Sequence, residues 1–240
     1  LVPSCDVIEV KKKARGYEAA AATGEKYFGD RLIICCGGCA GKRLGGVKSG
    51  YFLLGQLGHS CTPLLPALCQ IKTDPAWVKA LKGIRADAQL TLRRGGRIVQ
   101  ETAGELQFTD FGVSGPLAFE LSRAVSSGGE GQTLSLDLFR SYSESALLDL
   151  WRQRRDMFPQ LPAEELLAGA LQSRLGKTLL RRAGFDFAQP LAQVSDGALH
   201  ALCQLAKHFT LDVTGVMGFD FAQVTAGGVP VSEFRADTLE

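Results

Sequence analysis

The sequence predicts an α+β fold, and three observations carry that prediction. Strand-like runs open the chain, a series of short strands with a hairpin turn follows from Thr62 to about Leu138, and helical periodicity then fills residues 141–208 before strand character returns. The helical block therefore reads as an insertion into a mostly β module.

Three opening runs are predicted as strands: Val7 to Lys13, Gly16 to Thr23 and Asp30 to Cys36, separated by Ala-Arg-Gly and Gly-Glu-Lys turns. The third is the most apolar. Leu32-Ile-Ile-Cys-Cys36 followed by Gly37-Gly38 reads as a buried strand ending where the backbone turns tightly or approaches another group closely. Gly50 to Gly58 has helical spacing through Tyr51, Leu54 and Leu57. Short strands are then expected over Ala67 to Ile71, Ala88 to Arg93, Arg97 to Glu101, Leu106 to Phe108 and Thr133 to Asp137. Arg94-Gly95-Gly96 forms the turn between the second and third of these.

Ser141-Tyr-Ser-Glu144 fits a capping box that opens the helical block, and four or five helices are expected within it. Its breaks fall at Pro159 to Pro162, Gly184 to Pro190 and Ser195 to Gly197. The apolar stripes Leu147, Leu148, Leu150, Trp151 and Leu199, Leu202, Cys203, Leu205 are expected to be core faces. Strands are expected again over Thr210 to Thr214 and Phe219 to Thr225, before Ala226-Gly227-Gly228.

Of the 240 residues, 45% are hydrophobic and 22% charged, the composition of an ordinary globular protein. Lys and Arg number 27 against 25 Asp and Glu, a net charge of +2 that creates no field suited to a nucleic acid. The basic residues of the helical block are matched by acidic ones, so a solvated face is expected and no nucleic-acid partner. No apolar run approaches the roughly 20 residues of a membrane span, and the first residues are no signal peptide, so a cytoplasmic protein without a membrane partner is expected. Seven cysteines, an odd set, are expected to be reduced and mostly buried. Strand character begins at once, without an initiator Met, which suggests a start inside a longer chain.

Several catalytic patterns are tested and fail. No Gly-x-Gly-x-x-Gly follows a strand, and Gly41-Lys42 has Cys36 and Arg43 where a phosphate loop needs Gly and Ser or Thr. Gly112-Val-Ser114-Gly115-Pro116 places Pro where a nucleophile elbow needs Gly. Cys36-Gly-Gly-Cys39 has the spacing of a redox or metal pair, but no second pair accompanies it, so no metal site is expected and small residues at a crowded strand end are the reading. Gly227-Gly228 alone would mark a bend or bulge.

Taken in order, several segments resemble the BaiN-like or YhiN-like family of NAD(P)/FAD-dependent oxidoreductases, a branch of the two-dinucleotide-binding flavoproteins. Leu32 to Gly38 is similar to the family's apolar strand ending in Ala-Thr-Gly-Gly, and Gly45 through Gly50-Tyr51 with Gly58-His59 to its glycine loop and helix. Gly104-Glu-Leu-Gln-Phe-Thr-Asp-Phe-Gly-Val-Ser-Gly-Pro116 resembles the family signature most specifically. Phe209 to Gly215 and Ala222 to Val229 resemble the segment where the family's insert returns toward the flavin. Two places depart from it: Cys39-Ala-Gly-Lys42 stands for Lys-Ser-Tyr-Pro, and Gly46-Val-Lys-Ser-Gly50 for Ser-Thr-Gly-Asp-Gly.

The resemblance implies a partial FAD-binding α/β domain over 1–62, a β module over 63–140, an inserted helical subdomain over 141–208 and a return toward the flavin over 209–240. It implies that Gly37, Gly38, Gly45, Gly227 and Gly228 lie at the flavin, with Lys42, Thr109 and Ser114 as polar contacts on the substrate side and no catalytic side chain assigned. The implied reaction is hydride transfer from NAD(P)H through FAD to a small organic molecule or oxygen. FAD is expected in the parent protein and not retained by this segment alone. The alternative is a non-catalytic β plus helical interaction domain.

Overall fold

The computed structural model describes residues 1–238 and shows two compact units. One comprises residues 1–67 and those from 218 onward, and the other spans Leu68–Met217. The fold is α+β, as expected. In chain order the elements are β1 Val7–Lys12, β2 Tyr17–Ala21, β3 Lys26–Gly29, α1 Ser49–Gln56, β4 Leu65–Ala67, β5 Ile71–Thr73, α2 Pro75–Val78, β6 Arg85–Arg94, β7 Arg97–Thr109, β8 Gly112–Ser114, α3 Pro116–Ser126 and β9 Gln132–Asp137. They continue with α4 Glu144–Met157, α5 Ser173–Arg182, α6 Asp196–Lys207, β10 Phe209–Val216 and β11 Val224–Ala226.

The second unit is built on a closed barrel in the order β10-β5-β8-β7-β6-β9, with every neighbouring pair antiparallel. Period-two alternation positions its core. Gln132, Leu134 and Leu136 of β9 are buried while their neighbours are half-exposed, and Phe209 and Leu211 repeat the pattern in β10. Closure leaves no open edge to pair with another molecule. Gly95 and Gly96, with φ of +54° and +78°, make the two-residue turn between β6 and β7, because both positions need the left-handed region.

Expected strands over Arg97 to Glu101 and Leu106 to Phe108 are one continuous strand, β7, because Gly104, at φ +149°, keeps its place in the ladder opposite Ala88. The strand expected over Ala67 to Ile71 is two: Leu68 takes φ of +50° and separates β4 from β5. Helix α3 was not foreseen. Gly115 enters it at φ +90°, Pro116 occupies its first turn, and Leu117, Ala118, Leu121 and Val125 join the barrel core.

The block over 141–208 holds three α-helices and two short 3₁₀ turns among the described residues, and its apolar faces belong to the same core as the barrel. The cap of α4 is Ser143, whose hydroxyl accepts from the Ala146 N–H at 3.2 Å, and not Ser141. Glu144 is drawn off by α6, accepting from Gln204 Nε2 at 2.6 Å and pairing with His208, so the expected capping box does not form. Gln172 and Ser195 cap α5 and α6 in the same manner.

In the other unit β1, β2 and β3 form an antiparallel meander, and β4 pairs with β11. The Gln56 side chain ties α1 to β1, accepting from Val10 N at 2.7 Å and donating to Ile8 O at 3.1 Å. The strand expected over Asp30 to Cys36 is absent. Lys26–Gly29 takes the place beside β2, no described strand pairs with 30–36, and Ile33 is 83% exposed. Only Cys39, Cys69 and Cys203 are buried, because Cys35 and Cys36 lie in this open segment and Cys61 in the exposed run before β4. The strand expected over Phe219 to Thr225 is reduced to β11, since residues 218–222 close a turn through Gly218 O.

Candidate functional site

The loop from Gly37 to Gly50 is fixed by its own backbone. Gly41, in the left-handed region, opens a 3₁₀ turn over Lys42–Leu44 that ends at Gly45, whose N–H donates to Lys42 O at 3.1 Å. Val47 N donates to Gly38 O at 2.9 Å, and Gly41 N to Phe219 O at 2.9 Å, which joins the loop to the returning chain. At Gly46 a β-carbon would lie 2.2 Å from Ala40 O, so only glycine fits.

The predicted glycines fall into two groups. Gly37 and Gly45 have φ of +72° and +97°, and a β-carbon at either meets nothing within 4 Å, so both present a bare backbone to open space. A flat group can approach the chain there, and the left-handed conformation favours glycine. Gly38, Gly227 and Gly228 face protein instead. A β-carbon at Gly227 would lie 2.2 Å from Pro63 O; one at Gly38 would lie 2.9 Å from Tyr51 Oη and 2.8 Å from Thr225 Oγ1; one at Gly228 would lie 3.1 Å from Tyr51 Cε1.

Tyr51 of α1 thus meets both glycine pairs, which are some 190 positions apart in the chain. Thr225 Oγ1 also accepts the Ala40 N–H at 2.9 Å, and the Thr62 hydroxyl both accepts from Gly228 N and donates to Gly228 O at 3.0 Å. Burial, then the nearby Cys39 and Cys61 thiols, push the Tyr51 phenol above its ordinary value, while the Thr225 hydroxyl pulls the other way. The phenol therefore stays neutral and keeps its proton at physiological pH.

Lys42 lines an adjoining groove of about 520 Å³ with Cys39, Lys48, Phe219 and Asp220. Cys39 is 5% exposed, whereas Cys36 is open to solvent. Beyond α1, His59 Nδ1 is 2.9 Å from Glu233, and its ring stacks on Phe234 at 5.2 Å. The Ser60 N–H and hydroxyl also bind Glu233, and these donors with His59 hold the carboxylate below its ordinary range.

Thr109 and Ser114 lie in the barrel unit. Thr109 pairs with Gly112 across the β7–β8 turn, and Ser114 is buried opposite Gln107. The signature that contains them is a folding device: Gly112 passes against Ile71 O, and Gly115-Pro116 starts α3. Sequence reasoning missed Tyr51, Thr62 and Thr225 as partners of the glycines. Their signal was only adjacency to glycine runs, in three segments that folding alone brings together.

Comparison with known proteins places this architecture. The profile described as "HI0933-like protein barrel and H2TH domain" matches residues 65–224, two thirds of the chain. A 3-dehydro-bile acid delta(4,6)-reductase from Clostridium scindens is 32% identical over 96% of this chain and 57% of its own length. Ribosomal RNA dihydrouridine synthases from Escherichia coli and Haemophilus influenzae are 25% and 24% identical, over 98% and 87% of this chain and 56% and 50% of theirs. The chain thus spans about half the length of the curated relatives it matches. It belongs to the HI0933-like family, the BaiN-like and YhiN-like flavin-dependent oxidoreductases.

Proposed function

We propose that the protein is an FAD-dependent reductase that delivers hydride from NAD(P)H to a carbon–carbon double bond conjugated with a carbonyl. The observation that carries this reading is the convergence of Gly38 and Gly228 on Tyr51, beside the bare backbones of Gly37 and Gly45. Residues 1–67 and 218 onward are, on this reading, part of an FAD-binding domain. When bound, FAD supplies the two-electron hydride chemistry.

The bond class follows from what the relatives' names have in common. Reduction of a delta(4,6) 3-dehydro bile acid and reduction of uridine to dihydrouridine both saturate an alkene in conjugation with a carbonyl. Such a reduction places hydride on the carbon remote from the carbonyl and a proton on the adjacent one. The open Gly37 and Gly45 backbones offer close approach to a planar ring, and Lys42 and Lys48 place positive charge along the groove, where it stabilises charge developing on a carbonyl oxygen. The barrel unit has 17 Lys and Arg against 16 Asp and Glu, which favours a small organic substrate over a polyanion. The protein is proposed to act in the cytoplasm.

The test is an absorbance spectrum of the full gene product, followed by anaerobic addition of NAD(P)H and then of a conjugated enone steroid or a uridine-containing RNA. A yellow protein bleached by NAD(P)H and reoxidised by the enone supports the proposal. A colourless protein that does not take up FAD overturns it in favour of a non-catalytic interaction domain, and reoxidation by RNA alone overturns the small-molecule substrate.

A further inference from the structure

Tyr51 stands where two otherwise unconnected glycine segments meet. A β-carbon at Gly38 would touch its hydroxyl and one at Gly228 its ring edge, at 2.9 and 3.1 Å. The closest neighbours at Gly38 are side chains. Its φ lies outside the left-handed range, and the three atoms nearest the position are Tyr51 Oη and Thr225 Oγ1 and Cβ. Thr225 in turn holds Ala40 N at 2.9 Å, and Thr62 holds both polar atoms of the Gly228 backbone at 3.0 Å. One phenol ring therefore spaces the two segments, and two threonine hydroxyls hold their backbones at that spacing.

We infer that Tyr51 is a positioning residue for the flavin site, whose ring sets the separation of the Gly37–Gly38 and Gly227–Gly228 backbones so that both approach the same planar group. The inference rests on the flavin-binding reading above. It assigns Tyr51 no proton transfer. Its hydroxyl packs against Gly38 and Thr225, and its ring is the spacer. Removing the hydroxyl takes one atom from the Gly38 side and leaves the ring against Gly228, whereas removing the ring lets the glycine segments collapse toward each other.

Y51F, Y51L and G38A in the full gene product test this, with the FAD dissociation constant and the visible band of bound flavin as readouts. Y51F is expected to bind FAD within about threefold of the wild type, and Y51L about tenfold or more weakly with an altered visible band. G38A pushes the phenol aside and is also expected to weaken FAD binding. Adding Y51F to G38A removes one of the two atoms that would lie within 3.0 Å of the new β-carbon and is expected to recover part of the loss, a coupling that general destabilisation would not produce. Equal FAD affinity and an unchanged spectrum in Y51L overturn the inference while leaving the flavoenzyme reading intact. If Y51L does not fold, additive effects of G38A and Y51F overturn it instead. A wild-type protein that binds no FAD overturns both.

Discussion

A β-carbon at Gly112 would lie 2.1 Å from the carbonyl oxygen of Ile71, closer than any real β-carbon comes to backbone. The contact sits inside the barrel ladder, where β5 pairs with β8 through Ile71 and Val113, so neither strand can withdraw without breaking closure. G112A is therefore expected to destabilise the barrel unit by about 3 kcal/mol or more, read as a fall in the urea midpoint. A G112A protein as stable as the wild type would mean that the β5–β8 approach is looser than the structure has it.

Trp151 is fully buried in α4 and meets Phe139 edge-on, with centroids 5.8 Å apart and planes at 83°. Its indole N–H has no hydrogen-bond partner among the described residues. Truncation to Ala leaves a large cavity and should cost about 3–5 kcal/mol. W151F should cost about half as much or less, because it keeps a ring against Phe139 and removes a buried donor that was unsatisfied. Chemical denaturation of both variants checks the ordering.

Much of the barrel unit could be read in the sequence because its determinants are local. Arg94-Gly95-Gly96 specifies its turn by backbone freedom, and the Leu199, Leu202, Cys203 stripe specifies the buried face of α6 by spacing alone. The segment over 30–36 could not be read this way. Apolar composition makes a strand only where neighbouring strands take up its backbone groups, and Lys26–Gly29 occupies the place beside β2. Helix α3 hid behind a motif whose conspicuous residues, Gly112 to Pro116, drew attention from the stripe that follows. The site was the least legible part. The glycines were visible as candidates, but Tyr51, Thr62 and Thr225 acquire meaning only through contacts between segments far apart in sequence.

Arg182 links α5 to α2 and β10 as a half-buried cation. Its guanidinium lies 4.6 Å from the Phe209 ring centroid and 5.1 Å from that of Trp77, and Nη2 donates to Thr210 O at 3.1 Å. Burial lowers its pKa, but an arginine stays charged at any physiological pH. R182A is expected to cost about 2 kcal/mol through lost packing and cation–π contact. R182K should recover less than half of that, since an ammonium does not stack between two rings. Thermal unfolding of the two variants separates the packing contribution from the charge.

Native thiol titration should divide the cysteines by burial. Cys35, Cys36 and Cys61 are exposed and should react rapidly with a disulfide reagent. Cys69 and Cys203 are buried, and burial also pushes both thiols above their ordinary value, so access and ionisation are suppressed together. They should react only as fast as the barrel unit opens. Mass-spectrometric mapping of modified sites at short times checks this, and early labelling of Cys69 would show that the wall around it opens locally.

Asp196 joins two helices through charge. Its carboxylate, in the first turn of α6, accepts from Arg152 Nη2 and Arg155 Nη1 of α4, each at 2.7 Å. These donors, Arg152 foremost, hold its pKa below the ordinary 3.8. A carboxylate whose pKa is lower folded than unfolded stabilises the fold fully above the unfolded value, and that stabilisation disappears as pH falls through the folded one. The pair is solvent-exposed, so salt should weaken it further. D196N should therefore unfold at a modestly lower urea midpoint than the wild type at neutral pH, and the gap should close as pH drops below 3.8. A gap that persists in acid would assign the effect to the helix cap geometry and not to the ion pairs.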